Sequence, residues 1–112
     1  MFDQVVFTEV AGEIQREKVQ LLALSTCGFC KRGMDFLKKK QIAFEYVFLD
    51  EVETELKVKS KQEFRDKFGI NLSYPSLVRN GDRYTLGYIQ RFWEEFLDIP
   101  HEDETVEAKL LE

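Results

Sequence analysis

Apolar positions along this chain fall into short blocks whose spacing alternates between strand-like and helix-like. Val19-Gln20-Leu21-Leu22-Ala23-Leu24 is apolar at all but one position, and Ile42 to Leu49 repeats the pattern with only Glu45 interrupting. A strand covered on both faces reads this way, as parallel sheets require. Between the two blocks, Phe29, Gly33, Met34, Phe36 and Leu37 share a broad helical face, and Lys38-Lys39-Lys40 puts positive charge where a helix ends. Strand, helix and strand with short connections form a βαβ unit with an expected right-handed crossover.

Further on, Val52, Leu56, Phe64 and Phe68 recur in multiples of four, which predicts an amphipathic helix over 51–68 closed by Gly69. Ser76-Leu77-Val78 and Tyr84-Thr85-Leu86 flank Asn80-Gly81, a strong hairpin signal. The segment from Ile89 to Leu97 places Ile89, Phe92, Trp93, Phe96 and Leu97 on one side, predicting a last helix that covers the sheet and is stopped by Pro100. At the other end, Phe2 to Val10 is rich in β-branched and aromatic residues and predicts an added N-terminal strand ended by Ala11-Gly12. Residues 13–18 are too polar to assign. The acidic tail from His101 to Glu112 carries Val106, Leu110 and Leu111 at helical spacing, compatible with a short docked helix or a frayed end. The expected organisation is one α/β domain over 1–112, with an extension over 1–18, a core over 19–98 and a tail over 99–112.

At 112 residues the chain has room for one core, and 44% hydrophobic content with ten phenylalanines fills it, so a globular domain is expected rather than disorder. A net charge of −5 argues against a nucleic-acid partner, which calls for a basic face. No apolar run approaches the ~20 residues of a membrane span, and the N-terminus lacks a cationic segment followed by an apolar signal core. A monomeric, cytoplasmic protein without a membrane partner is expected.

Both cysteines of the chain, Cys27 and Cys30, stand in Ser25-Thr26-Cys27-Gly28-Phe29-Cys30-Lys31-Arg32, at the junction of the first apolar strand and its helix. In a reducing cytosol a close pair is more often catalytic than structural. The first turn of a helix offers unpaired N–H groups and the positive end of the macrodipole, which suit a negative sulfur, and Lys31 and Arg32 add charge nearby. Since the thiolate is the nucleophile, Cys27 is the candidate attacking sulfur. Cys30, one turn further in and more buried, is the candidate resolving sulfur. A metal site within the chain would need ligands beyond these two, and only His101 is on offer, so no metal residues are assigned. A cluster shared between two chains and a pair of inert thiols are the other readings of the same pair.

In this order of elements the chain resembles a glutaredoxin-like member of the thioredoxin superfamily over about residues 19–98. Cys27-Gly28-Phe29-Cys30 matches the family's two-cysteine active site, with Phe29 at an aromatic position. Tyr74-Pro75 matches the family's cis-proline, and Gly87 the glycine after the last strand. The resemblance implies a thioredoxin-like (glutaredoxin-type) fold: a four-stranded mixed sheet flanked by about three helices, here with the extra N-terminal strand. It implies a redox-active centre for thiol–disulfide exchange and electron transport, with Phe29, Tyr74, Pro75 and Gly87 binding substrate or glutathione and no tightly bound cofactor. Protein disulfides are the implied substrates, and glutathione or thioredoxin reductase the electron donor. Two departures matter. Glutaredoxins that hold glutathione firmly commonly have Gly-Gly-x-Asp where this chain has Gly87-Tyr88-Ile89-Gln90, and no lysine stands just upstream of Cys27. Gly87-Tyr88 is instead similar to the Gly-Phe of redoxins that draw electrons from thioredoxin reductase. Cys27-Gly28-Phe29 also opens the single-cysteine glutaredoxins that bridge a [2Fe–2S] cluster between two chains, so a cluster carrier using Cys27 is the alternative function.

Overall fold

The computed structural model describes residues 1–101; the acidic tail beyond His101 lies outside the described residues. Its elements are β1 (Thr8–Val10), β2 (Val19–Ala23), α1 (Gly28–Lys39), β3 (Phe44–Phe48), α2 (Thr54–Phe68), β4 (Ser76–Arg79), β5 (Arg83–Leu86) and α3 (Gln90–Phe96). The sheet has five strands in the order β1-β3-β2-β4-β5. β2 is buried at every position, as its unbroken apolar run requires, and pairs parallel with β3 and antiparallel with β4. Gln20, the one polar residue in that run, is satisfied by Glu45 on β3 at 3.2 Å. β1 and β5 add antiparallel edges, making an α/β fold of the thioredoxin type.

The alternation of side chains along the strands sorts them into two cores. Leu21 and Leu77 join Phe36, Leu37, Trp93 and Leu97 on the side of α1 and α3. Leu22 and Val78 join Val47, Leu49 and Phe64 on the side of α2. α1 and α3 meet closely because Gly33 has no side chain: a Cβ there would stand 2.5 Å from the Trp93 ring.

The register decides where a site can form. β2 ends where α1 begins, and the antiparallel partners Leu22–Ser76 and Ser76–Leu86 bring the start of β4 and the end of β5 to that same edge. The strand-to-helix loop, the residues before β4 and those after β5 therefore converge.

Several boundaries differ from the sequence pattern. The N-terminal strand is only Thr8–Val10. Phe2 and Val5 do not extend it; a turn closed by Val5 N–H to the Phe2 carbonyl at 3.2 Å lets both bury in the α2-side core. β3 is shorter than 42–49, and α2 begins at Thr54 rather than Glu51. On α3, Trp93 and Leu97 are buried, but Ile89 and Phe92 are 55% and 54% exposed. One stripe against Gly33 and the sheet is all that a helix of seven residues offers, and Ile89 is its cap rather than a helical residue. Glu94, on the same helix, is buried instead, with Oε2 accepting from Gln90 at 3.4 Å. The unassigned segment 13–18 takes part in the sheet through Ile14, which accepts from Ala43 and donates to Gln41, both at 2.9 Å.

Candidate active site

Cys27 is the N-cap of α1, with extended backbone (φ −89°, ψ 116°), and its Sγ accepts the N–H of Cys30 at 3.2 Å. A sulfur thus takes the place that a Ser, Thr or Asp oxygen usually fills at a helix start. The Cys27 N–H donates to the Leu24 carbonyl at 3.2 Å, and its own carbonyl accepts from Lys31 at 3.1 Å, which joins loop and helix without a break. Both thiols are free. Cys27 is half-buried, whereas Cys30 is 1% exposed and packed in the α1-side core. Burial pushes the Cys30 thiol up to about 12, and its contact with the Cys27 sulfur pushes the same way. The pair is therefore split into one reachable sulfur and one sealed beneath it.

Tyr74-Pro75 is cis, as the resemblance implies. Pro75 is fully buried, and its carbonyl accepts the Gly87 N–H at 2.7 Å. Gly87 has φ 71°, a conformation that favours glycine, and its carbonyl accepts from Trp93 Nε1 at 2.9 Å. Pro75, Gly87, Trp93 and Gly33 thus form a continuous chain of contacts from the proline loop back to the cysteine helix. Phe29 is 59% exposed, so it is not a core residue; the Arg32 guanidinium carbon lies 5.5 Å from its ring centre. Tyr74 is half-buried and touches both cores, and burial followed by the nearby Asp50 charge raises its phenol above the ordinary range. All six residues assigned from the sequence lie on elements that reach the converging edge of the sheet.

One residue at this edge was not singled out from the sequence. Asp50, just after β3, accepts the Ser25 N–H at 2.9 Å through Oδ1 and the Ser25 hydroxyl at 2.5 Å through Oδ2. Those bonds hold its carboxyl below the usual carboxylate range. The available signal was positional, since an Asp at the carboxyl end of a strand parallel to the motif strand lies beside the motif. Among the described residues, no three His, Cys, Asp or Glu side chains gather as metal ligands. A four-ligand centre here would have one outward sulfur from this chain and would need its other ligands from elsewhere.

The Glutaredoxin family model matches residues 5–82. A crystal structure of the glutaredoxin from Methanosarcina mazei Go1 is similar, with 27% identity over 81% of this chain and 86% of that one and a TM-score of 0.72. Methanosarcina acetivorans methanoredoxin is 30% identical over 77% of this chain and 88% of its own, with a TM-score of 0.68. The glutaredoxin grx-1 of Archaeoglobus fulgidus is 33% identical over 70% and 84%, with a TM-score of 0.62. No curated protein sequence matches the chain.

Proposed function

This chain belongs to the glutaredoxin family, and from that premise we propose that it is a dithiol thiol–disulfide oxidoreductase that reduces protein disulfides. The observation that carries the reading is the asymmetry of the pair: a reachable Cys27 sulfur facing a helix N–H, above a sealed Cys30. The Cys27 thiolate attacks one sulfur of the substrate disulfide. That S–S bond breaks, and the other substrate sulfur leaves as a thiolate and takes a proton from water. Cys30 then gives up its proton and attacks the Cys27 sulfur of the mixed disulfide. The second substrate thiol is released, the Cys27–Cys30 bond forms, and two electrons have passed to the substrate.

Burial of Cys30 serves the order of these steps. A thiol held protonated does not compete for the incoming disulfide, yet sits one turn from the sulfur it must reach. The backbone at Tyr74, before a Pro75 whose carbonyl is already taken by Gly87, is the edge an extended substrate meets as a short added strand. Phe29, in the cysteine motif, offers an exposed ring. Two molecules of glutathione, which leave joined as their disulfide, or the dithiol of a flavoprotein reductase return the pair to its reduced form, as expected of a protein working in a reducing cytoplasm.

The test is reduction of a generic protein disulfide by wild type, Cys27→Ser and Cys30→Ser. Cys27→Ser should be inactive, and Cys30→Ser should accumulate a mixed disulfide with the substrate, seen by non-reducing electrophoresis and mass. Activity retained in Cys27→Ser would end this reading.

A further inference from the structure

We propose that Asp50 is a positioning residue for Cys27, locking Ser25 and through it the loop that presents the attacking sulfur. The inference rests on the reading of Cys27 given above. β2 and β3 run parallel with Ala23 opposite Phe48, and the ladder continues with the Leu49 N–H donating to the Ala23 carbonyl at 2.9 Å. Two residues further on, Asp50 comes beside Ser25, and both of its oxygens are spent on that one residue, Oδ1 on the N–H and Oδ2 on the hydroxyl.

Only Leu24, Ser25 and Thr26 separate the end of β2 from the Cys27 cap. Ser25 and Thr26 are exposed, so packing does little to fix them. The direction in which the chain enters α1 sets the extended Cys27 backbone, and with it the alignment of Sγ to the Cys30 N–H. A two-point clamp on the middle of this loop removes the rotation that a single bond would leave. Its ionised carboxylate makes both bonds charge-assisted and hence strong. Asp50 itself is exposed, so removing its side chain opens no cavity.

Substitutions separate the clamp from the charge. Asparagine retains an oxygen for the Ser25 N–H and an amide that donates to the Ser25 hydroxyl oxygen, whereas alanine retains neither. Wild type, Asp50→Asn, Asp50→Ala and the double variant Ser25→Ala/Asp50→Ala are compared in two measurements at fixed pH. One is the second-order rate of iodoacetamide alkylation at Cys27, located by mass; the other is kcat and KM for a generic protein disulfide. We expect Asp50→Ala to lower the alkylation rate and kcat by about tenfold, the scale of a misplaced reacting group. Asp50→Asn should recover most of that loss, and the double variant should be no worse than Asp50→Ala. Thermal unfolding of all three variants should stay close to wild type. Unchanged alkylation in Asp50→Ala overturns the inference, and so does an Asp50→Asn as impaired as Asp50→Ala, which would assign the effect to charge. A wild type that is inactive, or that alkylates first at Cys30, fails the proposed function instead.

Discussion

Cys27 and Cys30 are chemically identical and sit one helical turn apart, so their different roles come from where the fold puts them, one half-buried at the helix start and one buried beneath it. Iodoacetamide should label Cys27 first at neutral pH. With its thiol pushed up to about 12, Cys30 should gain reactivity roughly tenfold per pH unit in the alkaline range. Equal labelling at pH 7, followed by mass spectrometry of the peptide, would sink the assignment. The same burial has a stability consequence whose sign is fixed. Above about 8.5 the unfolded thiol loses its proton while the folded one keeps it, so the folded state binds more protons and stability of the reduced protein falls as pH rises toward 12. Cys30→Ser should flatten that alkaline limb in urea titrations at a series of pH values. A limb of unchanged slope would show that another group produces it. Cys27 and Cys30 were legible in the sequence because spacing and a helix start suffice to rank them. Asp50 was not, because its role depends on which residue the parallel register sets opposite.

Between elements, two contacts hold the site's scaffold in place. Gly33 lets α1 lie against Trp93, and Trp93 in turn bonds the Gly87 carbonyl at the rim of the site. Gly33→Ala should cost about 1–3 kcal/mol by overpacking, because the 2.5 Å approach is to a large, fully buried ring that has nowhere to go. A chemical-denaturation midpoint equal to wild type would show that the helices slide apart freely. The second contact is Arg79 on β4, buried and reaching the Phe96 carbonyl at 3.0 Å, Asp98 at 2.8 Å and Glu17 at 2.6 Å. It pins the end of α3 and the segment before β2 to the hairpin. Arg79→Ala should destabilise by about 1–3 kcal/mol, the scale of bonds to a charged group. Arg79 also holds the Glu17 and Asp98 carboxyls below their ordinary values. Depressed acids stabilise the fold above about pH 4 and lose that contribution as pH falls through their folded values, so Arg79→Ala should also flatten the acid limb. Parallel acid limbs in the two proteins would contradict this. In the sequence Arg79 falls unassigned between Ser76-Leu77-Val78 and Asn80-Gly81, since a single charged residue carries no periodicity to mark it as buried.

For the molecule as a whole, order and layers followed from the sequence, because β2, β3 and α1 carry strong periodic signals and the hairpin a strong turn. The outward face of α3 did not, because Ile89 and Phe92 have the spacing of core residues but the space beneath is already filled by Trp93 and Leu97. Their exposure bears on the electron donor. The family's Gly-Gly-x-Asp grip is absent: α3 is capped by Ile89, whose side chain supplies no hydrogen bond, and Gln90 is turned to Glu94. Losing one charge-assisted contact to a small anionic thiol should weaken its binding by about 1.5–3 kcal/mol, or roughly tenfold to more than a hundredfold. What the site edge offers in its place is apolar. Phe29 near the start of α1 and Ile89 at the cap of α3 are 59% and 55% exposed. Such a surface suits a protein donor better than a tripeptide. Steady-state turnover of one protein disulfide at fixed enzyme concentration, with glutathione and its reductase in one series and thioredoxin reductase in another, should show no saturation by glutathione at millimolar levels and faster turnover with thioredoxin reductase. Phe29→Ser should then lower turnover more with thioredoxin reductase than with glutathione. Tight glutathione saturation with no response to thioredoxin reductase would mean that backbone groups alone grip the tripeptide, and that the apolar edge has no part in choosing the donor.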